Sequence, residues 1–513
     1  MRPGSYEEWV RRYDTITPAE RAAFQAEEKR LRDQPLISIL LPVYNPQLAW
    51  LAAAIDSVRA QTYSRWELCM ADDASTLPGV RTFLKQQAQS DPRIRLVFRA
   101  SNGHISACSN SAFALATGAW CGLLDQDDVL SEHALSLVAR ELDAFPAAGL
   151  VYSDEDFLDE RGARTNPFFK PDWNPELFLG QNYINHFGVY RTELLREIGG
   201  FREGFEGSQD YDLALRCIAH LHEGQIRHIP RILYHWRMVP GSLAALRDAK
   251  PYAKEAARRA LNDHLQRSRI NAKAEPCPEN VESHRVRYAV PQHGPSVVVL
   301  ETGSGTSAAE LNRRAKATRA EVLIFVGPHL EFPGSEWKDE LVSQALRPEV
   351  AAVGARIWSE EGTLQQTGIV LGLGGIAGDA HRGLPRAHPG YFNRTFLQRN
   401  CSAVSLVCFA TRAEIFRQLG GFDEANLARD FLDLDYCLRA GERGLRVLWT
   451  PYANPISHAP VADPSATSAD ADYIRQRWGM RLPNDGFYNA NLSLETPFEL
   501  AFPPRWWRGS AAS

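Results

Sequence analysis

The sequence contains no pair of cysteines at a metal-binding or redox spacing. Its eight cysteines are scattered between Cys69 and Cys437 without a C-x-x-C motif, so neither a zinc centre nor a disulfide framework is indicated. We expect them to be reduced and mostly buried thiols.

Long apolar runs and an excess of basic charge are also missing. No run approaches the ~18 residues of a membrane-spanning helix, and the N-terminal stretch "MRPGSYEEWVRRYD" lacks the apolar core of a secretory signal. A cytoplasmic protein is therefore expected, with at most peripheral association at the inner face of the cytoplasmic membrane. The 57 basic and 62 acidic residues give a net charge of −5, which argues against nucleic acid as a partner.

What the sequence does contain, from residue 36 onward, is an alternation of short apolar runs and helical periodicity. The runs "LISILLPV", "WELCMADD", "IRLVFRA", "AWCGLL" and "AGLVYSDED" predict five strands. Strands that alternate with helices are typical of βαβ units, so we expect an α/β fold with a mostly parallel sheet. Ligands bind such sheets outside the carboxyl ends of the strands. Polar residues follow four of the predicted strands at that edge, namely "PVYN", Asp72-Asp73, Asn102-Gly103 and "DQDD" (125–128).

The segment "LLDQDDVL" places three carboxylates, Asp125, Asp127 and Asp128, within four positions. Like charges this close destabilise one another unless a cation or hydrogen-bond donors compensate. A solvated turn is the alternative interpretation of the segment alone. An EF-hand calcium loop is disfavoured, because Leu130 occupies the position that requires glycine. We expect Asp128 to cap the following helix.

The second half of the chain repeats features of the first. Asn110 precedes Asp125 by 15 positions, and Asn312 precedes Gly327 by the same 15. The stretches "GGFREGFEGSQDYDLALR" (199–216) and "GGFDEANLARDFLDLDYCLR" (420–439) both end in Asp-x-Asp-x-x-Leu-Arg. This order predicts a duplicated architecture. Where the first copy has its acids, the second has Gly327, Pro328, His329 and Leu330, so the second copy lacks the carboxylates.

Taken together, the motifs resemble those of a known family. In order, they are "ISILLPVYN", "ADDAS", "NGHISACSN", "LLDQDDVL", "VYSDED", "GGF", "GSQDYDLALR" and "LYHWR", across about residues 36–245. They resemble the family 2 inverting glycosyltransferases with the GT-A fold, and in particular the bacterial branch that builds O-antigen and other surface polysaccharides. The resemblance implies two tandem GT-A-like domains, of which the second is degenerate.

The resemblance also implies a role for each matching residue. Asp127 and Asp125 would bind Mg²⁺ or Mn²⁺, with His235 as a further ligand, and Asp210 would be the catalytic base. Gln209, which stands where the family usually has glutamate, would contact the acceptor. Asp212 is expected to pair with Arg216 four residues later on the same helix. The nucleotide sugar would be bound by Pro42, Tyr44, Asn45, Asp72, Asp73, Asn102, Gly103 and Asp125.

The function implied by the family is inverting, metal-dependent transfer of a sugar from a nucleotide-diphosphate sugar to a glycan acceptor, which in this branch is lipid-linked. Two alternatives stay open, a bifunctional transferase with both halves active and a nucleotidyltransferase that makes the sugar nucleotide. The latter should carry a glycine-rich phosphate loop after the first strand, and "PVYNPQ" has no glycine. A sugar-binding scaffold would fit the second half better than the first.

The predicted organisation is an N-terminal helical arm (1–34), a catalytic GT-A domain (35–290), a second and degenerate GT-A-like domain (291–460) and a C-terminal extension (461–513). In the extension, Trp506 and Trp507 suit either a membrane surface or, as we expect, a docked or disordered tail.

Overall fold

Four of the predicted strands form the parallel core of a nine-stranded sheet in the computed structural model, which describes residues 4–238, 251–303, 305–461, 464 and 466–507. They are β1 (Ile37–Val43), β2 (Trp66–Asp72), β3 (Ile94–Phe98) and β4 (Trp120–Leu123). β1 pairs in parallel with β2 on one side and β4 on the other, and β2 pairs with β3. The apolar run of β1 is almost wholly buried, as expected for a strand covered on both faces.

The remaining strands make the sheet mixed. They are β5 (Val129–Leu130), β6 (Leu150–Leu158), β7 (Arg164–Phe168), β8 (Val189–Arg191) and β9 (Ile226–Arg237). The strand order is β3-β2-β1-β4-β8-β6-β9-β5, with β7 paired to β6. β8 is antiparallel to β4 and β6, whereas β6 and β9 are parallel.

Helices alternate with these strands, as the periodicity predicts. In chain order the α-helices are α1 (Tyr6–Tyr13), α2 (Pro18–Glu28), α3 (Leu48–Arg59), α4 (Val80–Ser90), α5 (His104–Phe113), α6 (Ala134–Ala144), α7 (Pro175–Gly180), α8 (Thr192–Glu197), α9 (Gln209–Ile218), α10 (Pro251–Arg267), α11 (Ala308–Ala317), α12 (Glu336–Ala345), α13 (Ala413–Gln418), α14 (Leu432–Glu442) and α15 (Ala469–Trp478). Short 3₁₀ helices span Glu223–Gln225, Leu373–Gly375 and Tyr391–Asn393.

The chain divides into two compact units. The first unit comprises Met1–Trp173, Asn182–Ile270 and Phe502–Ser513, and it contains the nine-stranded sheet. The second unit comprises Asn174–Gln181 and Asn271–Ala501. The second unit therefore includes α7, although the chain on both sides of this helix belongs to the first unit.

The second unit is built on a six-stranded sheet. The strands of this unit are β10 (Ala272–Pro276), β11 (His284–Tyr288), β12 (Val297–Glu301), β13 (Val322–Val326), β14 (Leu330–Glu331), β15 (Val350–Ala355), β16 (Ile357–Ser359), β17 (Leu364–Gln366), β18 (Ile369–Leu371), β19 (Ala377–Asp379), β20 (Arg399–Asn400), β21 (Cys408–Arg412), β22 (Arg446–Thr450) and β23 (Ile456–Ser457). The six-stranded sheet has the order β12-β13-β21-β15-β22-β20. β14, β23, β16 and β17 form a second sheet, and β10-β11 and β18-β19 form two-stranded ones.

The cores of the two units share one topology. In the first, neighbours along β1-β4-β8-β6-β9 are parallel, antiparallel, antiparallel and parallel. The path β12-β13-β21-β15-β22 in the second unit gives the same series. The α/β fold class is therefore confirmed, and the two units have the same series of strand pairings along these paths. Across the described ranges, we find no helix with the length and apolar character that crossing a membrane requires.

Candidate active site

Amide side chains join the loops that follow β1, β2 and β4. Gln126 Oε1 accepts a hydrogen bond from the N–H of Tyr44 at 2.8 Å, and Gln126 Nε2 donates to the Tyr44 carbonyl at 3.2 Å. Asn45 Oδ1 accepts the N–H groups of Thr76 and Leu77 at 2.8 and 3.0 Å. The carboxyl ends of these parallel strands therefore form one connected edge. Tyr44 is 45% exposed there, and Pro42 lies within β1 opposite Ala71.

The two acids that end β2 differ in how fully they are bonded. Both oxygens of Asp73 are used, because Arg99 Nε donates to Oδ1 at 2.7 Å and the N–H of Gly103 donates to Oδ1 and Oδ2 at 3.0 and 3.1 Å. Asn102 Nδ2 donates to the Asp73 carbonyl at 3.3 Å. In contrast, Asp72 Oδ1 is buried and has no hydrogen-bond partner among the described residues. Asp72 is thus the acid with an oxygen left for a ligand.

The acids after β4 meet a histidine from the loop before β8. Asp125, Asp128 and His186 each offer one ligand atom, and these atoms lie within 4.8 Å of one another. Asp125 has a 48% exposed side chain, whereas Asp128 is fully buried. Burial, followed by the charge of Asp125, raises the pKa of Asp127. Oxygen and imidazole ligands fit Mg²⁺ or Mn²⁺, so these residues fit a divalent cation.

The hydrogen-bond partners of Asp128 differ from those that the sequence predicts. Its Oδ2 accepts the Tyr234 hydroxyl at 2.7 Å and its Oδ1 accepts the N–H of Arg237 at 2.8 Å. The expectation that Asp128 caps a helix is therefore wrong, since α6 begins after the N-cap residue His133. Burial, and then the charge of Asp125, raises the pKa of Asp128 to about 8.

The two ring nitrogens of His186 face different carboxylates, Asp125 on one side and Glu155 on the other. Its Nε2 lies 3.8 Å from Asp125 Oδ2, and its Nδ1 lies 3.3 Å from Glu155 Oε2. Glu155 in turn accepts a hydrogen bond from the buried Lys170 Nζ at 3.2 Å. Burial alone would lower the pKa of His186, but the contacts with Asp125 and Glu155 outweigh it and raise the pKa to about 10. A cation bound here would displace the imidazolium proton.

Asp210, the residue predicted to be the base, lies in the first turn of α9. Its Oδ2 accepts a hydrogen bond from Asn182 Nδ2 at 2.8 Å. Burial raises the pKa of Asp210, and the charge of His186 partly opposes this shift. The neighbouring Gln209 uses its Oε1 to accept the N–H of Gly207 at 2.8 Å. The predicted pairing of Asp212 is found, because Arg216 Nε donates to Asp212 Oδ2 at 2.9 Å.

Comparison with known proteins agrees with these features. The family described as "Glycosyl transferase family 2" matches residues 38–199. The chain is 34% identical to the O-antigen biosynthesis protein RfbC of Myxococcus xanthus, over 93% of this chain and 42% of that protein. Residues 38–199 of this chain therefore form a domain that matches glycosyltransferase family 2.

Two further similarities show how much of the chain aligns with other proteins. The chain is 39% identical to an uncharacterized protein of Sinorhizobium fredii, y4gI, over 98% of this chain and 62% of that one. The chain thus spans about half the length of these two relatives. Residues 1–349 of Staphylococcus aureus TarS in complex with UDP-GlcNAc align with 45% of this chain and 73% of that one, with 18% identity and a TM-score of 0.35.

His235 has a hydrogen-bond partner at each of its two ring nitrogens. Its Nδ1 contacts Asp156 Oδ1 at 2.5 Å, and its Nε2 contacts Ser131 Oγ at 3.0 Å. Both ring nitrogens therefore have protein partners, and the structure gives no free nitrogen for the metal role that the motif suggests. Arg237 lies nearer the acids, since its Nε donates to the Asp127 carbonyl at 2.9 Å.

His186, Glu155 and Asn182 are site residues that the sequence reasoning missed. Glu155 lies within the motif "VYSDED", which was used only to identify the family. His186 and Asn182 stand in "QNYINHFG", where Gln181, Asn182, Asn185 and His186 interrupt the apolar residues before β8. That interruption was the only signal, and it specifies no partner, because Asp125 lies far away in the sequence.

The second unit has a different arrangement at the matching position. The loop between β13 and β14 consists of 327–329, whereas the loop between β4 and β5 consists of 124–128. Asp433, the counterpart of Asp210, accepts the N–H groups of Leu406 and Leu434 at 2.7 and 2.8 Å. Within the described part of this unit, no group of three ligating side chains resembles the one around Asp125.

Proposed function

We propose that this glycosyltransferase moves a sugar from a nucleotide-diphosphate sugar to a glycan acceptor, with inversion at the anomeric carbon. The observation that supports this most directly is that the buried Asp210 interacts electrostatically with His186 and with Asp125, two members of the possible cation-binding group. A base beside a cation-binding cluster is what a single displacement requires, because a proton leaves the acceptor while negative charge grows on the departing diphosphate.

Asp210 acts as the general base in this proposal. The acceptor hydroxyl oxygen forms a bond to the anomeric carbon while the bond from that carbon to the diphosphate oxygen breaks. The hydroxyl proton moves to an Asp210 oxygen. A buried carboxylate with a raised pKa is a stronger base than an exposed one, which favours this transfer.

Mg²⁺ or Mn²⁺ would be held by Asp125 and Asp127, with His186 beside Asp125. When bound, the cation supplies positive charge to the diphosphate. We propose His186 in place of His235, because His235 would have to give up hydrogen bonds to Asp156 and Ser131. Glu155 then fixes the ring of His186 from its other nitrogen, an arrangement that orients histidine ligands in general.

The nucleotide is proposed to bind at the edge formed by the β1 and β2 loops. Asp72 Oδ1 has no hydrogen-bond partner among the described residues, so it can accept the ring N–H of a pyrimidine. The exposed ring of Tyr44 can lie against the base. Asp73, Asn102 and Gly103 shape this pocket through their mutual hydrogen bonds. Gln209 remains the residue proposed to face the acceptor.

The biological setting is proposed from the similarity to RfbC of Myxococcus xanthus, which is named as an O-antigen biosynthesis protein. A surface-polysaccharide pathway would provide a lipid-linked glycan as acceptor and place the enzyme in the cytoplasm, at or near the membrane. The second unit, which lacks an acid cluster in its described part, is proposed to hold the acceptor glycan or a partner rather than to catalyse a metal-dependent transfer.

A panel of nucleotide sugars tests the proposal. UDP-glucose, UDP-galactose, UDP-N-acetylglucosamine and dTDP-rhamnose would be assayed for hydrolysis and thermal shift, with and without Mn²⁺. Asp210→Asn should keep the Mn²⁺-dependent donor binding yet lower kcat by ~10²–10⁴. Asp127→Ala should remove the Mn²⁺-dependent part of the affinity and, with it, turnover.

Asp56→Asn is the matched control, because the exposed carboxylate of Asp56 pairs with Arg59 on its own helix and belongs to no part of the proposed site. It should leave both readouts unchanged. Unchanged turnover in Asp210→Asn, or loss of donor binding in proportion to kcat, would remove Asp210 from the role of base.

A further inference from the structure

We propose that Tyr234 is the positioning residue of the candidate cation site, and that it arranges the acidic turn 125–128 and His186 before a cation binds. The inference rests on the proposed function, in which this site holds Mg²⁺ or Mn²⁺. It deepens that function by assigning a side chain that raises the affinity for the cation without binding it. The contacts that support it all lie within the first unit.

The hydroxyl of Tyr234 bridges the two ends of the acidic turn. It donates to Asp128 Oδ2 at 2.7 Å and accepts the N–H of Asp125 at 3.2 Å. The turn itself is closed by a hydrogen bond of 3.3 Å from the N–H of Asp128 to the Asp125 carbonyl. Asp127, a proposed ligand of the cation, therefore lies inside a turn whose two ends are tied to one side chain.

The ring of Tyr234 orients the histidine of the same site. It stacks on the imidazole of His186, with ring centroids 4.5 Å apart and 9° between the planes. Glu155 Oε2 lies 3.3 Å from His186 Nδ1, so Nε2 is the nitrogen that faces Asp125. The tyrosine ring and its hydroxyl thus contact Asp125, Asp128 and His186, whose ligand atoms lie within 4.8 Å of one another.

The sheet fixes the position of Tyr234. Strand β5 follows the acidic turn directly and pairs with β9, so that Leu130 lies opposite Tyr234. Tyr234 has no exposed surface and belongs to the apolar core of the first unit. Three positions further along β9, the N–H of Arg237 donates to Asp128 Oδ1 at 2.8 Å. Both oxygens of the Asp128 carboxylate are therefore held by the end of β9.

The acidic turn needs such support because its charges oppose its shape. Three carboxylates within four positions repel one another unless a cation or hydrogen-bond donors compensate. A turn that opened under this repulsion would have to be ordered again when the cation binds, and this would weaken binding. Removal of the contacts that orient metal ligands typically lowers metal affinity by ~10–100-fold. We expect an effect of this size from the Tyr234 hydroxyl.

A purely structural role for Tyr234 makes a different prediction. Loss of one buried hydroxyl would then lower the melting temperature by about 2–4 °C and leave Mn²⁺ binding unchanged. Tyr63 makes this effect measurable, because it is equally buried in the first unit and its hydroxyl donates to the Pro35 carbonyl at 2.8 Å. Neither Tyr63 nor Pro35 belongs to the proposed site.

The experiment uses the full chain. Tyr234→Phe removes the hydroxyl and keeps the ring on His186, Tyr63→Phe is the matched control, and Asp127→Ala tests the cation site itself. Mn²⁺ binding is measured from the EPR signal of the free ion in the presence of UDP or dTDP, whichever belongs to the donor of the panel above with the largest Mn²⁺-dependent thermal shift. Turnover is measured against Mn²⁺ concentration, and the melting temperature without metal.

Tyr234→Phe should raise the Kd for Mn²⁺ by ~10–100-fold. Because the proposed base and donor contacts are untouched, kcat should return to within about 3-fold of wild type once Mn²⁺ is raised to saturation. Tyr63→Phe should bind Mn²⁺ as wild type does, while both variants lose a similar amount of melting temperature.

Two results would overturn the inference while Asp127→Ala still weakens Mn²⁺ binding. One is a Kd for Mn²⁺ that is unchanged in Tyr234→Phe. The other is a Kd that rises equally in Tyr234→Phe and Tyr63→Phe, since the effect would then follow from lost stability. If wild type binds no Mn²⁺, or if Asp127→Ala binds it as tightly as wild type, the proposed function fails first, and the inference fails with it.

Discussion

His228 is a buried histidine held between two carboxylates. Its Nε2 lies 2.8 Å from Asp154 Oδ1 and its Nδ1 lies 2.9 Å from Asp172 Oδ1, while its side chain is only 2% exposed. The ring also stacks on Tyr152 at 4.9 Å. Burial alone would lower the pKa of His228, but Asp154 and Asp172 outweigh it and raise the pKa to about 9. The charged form is therefore the stable one at neutral pH.

The stability of the protein should depend on pH through this residue. Because the folded pKa lies above the ordinary value of about 6.5, the stabilisation is fully present below that pH and is lost as the pH rises through about 9. Urea unfolding of wild type and His228→Gln should differ most near pH 6, and the difference should shrink by an amount on the order of 3 kcal/mol by about pH 10. A difference that stays constant over this range would show that His228 does not titrate as described.

Contacts within a few residues could be predicted from the sequence, whereas contacts across the chain could not. The pairing of Asp212 with Arg216 follows from helical spacing, and it is found. Asp128 was expected to cap a helix because only its neighbours in the sequence were considered. Its actual partner, the Tyr234 hydroxyl, is 106 residues away. His186 was missed for the same reason, because its identity as a site residue depends on Asp125 and Glu155.

At the scale of secondary structure, α1 is tied to the sheet by a buried network of charges. Asp14, at the end of this helix, contacts Arg164 at 2.5 Å and Arg231 at 3.3 Å. Arg164 also contacts Asp156 at 2.6 Å, and Tyr6 donates its hydroxyl to Asp156 at 2.6 Å. Burial would raise the pKa of Asp156, but His235 and Arg164 outweigh it and hold the pKa below its usual value.

Removal of Asp14 should therefore be strongly destabilising. Asp14→Ala leaves two buried guanidinium groups without one of their carboxylates, and breaking a buried pair in this way typically costs about 3–5 kcal/mol. Arg12→Ala, on the same helix, breaks only a half-exposed pair with Glu8 and should change the free energy of unfolding by less than about 0.5 kcal/mol. Urea denaturation of both variants measures this, and equal effects would contradict a structural role for the network.

The regular elements of the first unit could be predicted well because each carries a local pattern. The runs "LISILLPV" and "WELCMADD" match β1 and β2 to within a residue at each end.

The contacts of the C-terminal tail could not be predicted from its own residues, since Trp506 packs against the Arg231 guanidinium, 4.0 Å from the centre of its ring. We expected a docked or disordered tail; the described part of the tail is docked at Trp506, but its partner could not be named in advance. The placement of α7 in the second unit was also unpredictable, because Glu176 of this helix is bound by Arg347, which lies 171 residues away.

At the scale of the whole molecule, the same strand order and the same hydrogen-bond pattern occur separately inside each unit. Asn110 exchanges two hydrogen bonds with the backbone of Phe201, both at 2.8 Å, and Asn312 does the same with Phe422, both at 2.9 Å. The scaffold predicted from the repeated sequence is thus present in both halves. The sites differ, since Asp210 accepts a side-chain amide and Asp433 accepts two backbone N–H groups. The predicted domain limits of 35–290 and 291–460 remain a prediction.

This difference leads to a contrast between equivalent substitutions in the two units. Asp433→Asn places an amide NH₂ group against a backbone N–H, so it should lower stability by roughly 1–3 kcal/mol. Because Asp433 is occupied by the backbone and has no acid cluster beside it in the described residues, turnover per folded molecule should stay near that of wild type. Asp210→Asn should have the opposite effect, with a small change in melting temperature and a loss of turnover of ~10²–10⁴. Thermal unfolding and the product profile over the panel of nucleotide sugars, measured on both variants, check this. If Asp433→Asn removes a distinct product while the first site still works, the second unit is a transferase in its own right and the protein is bifunctional.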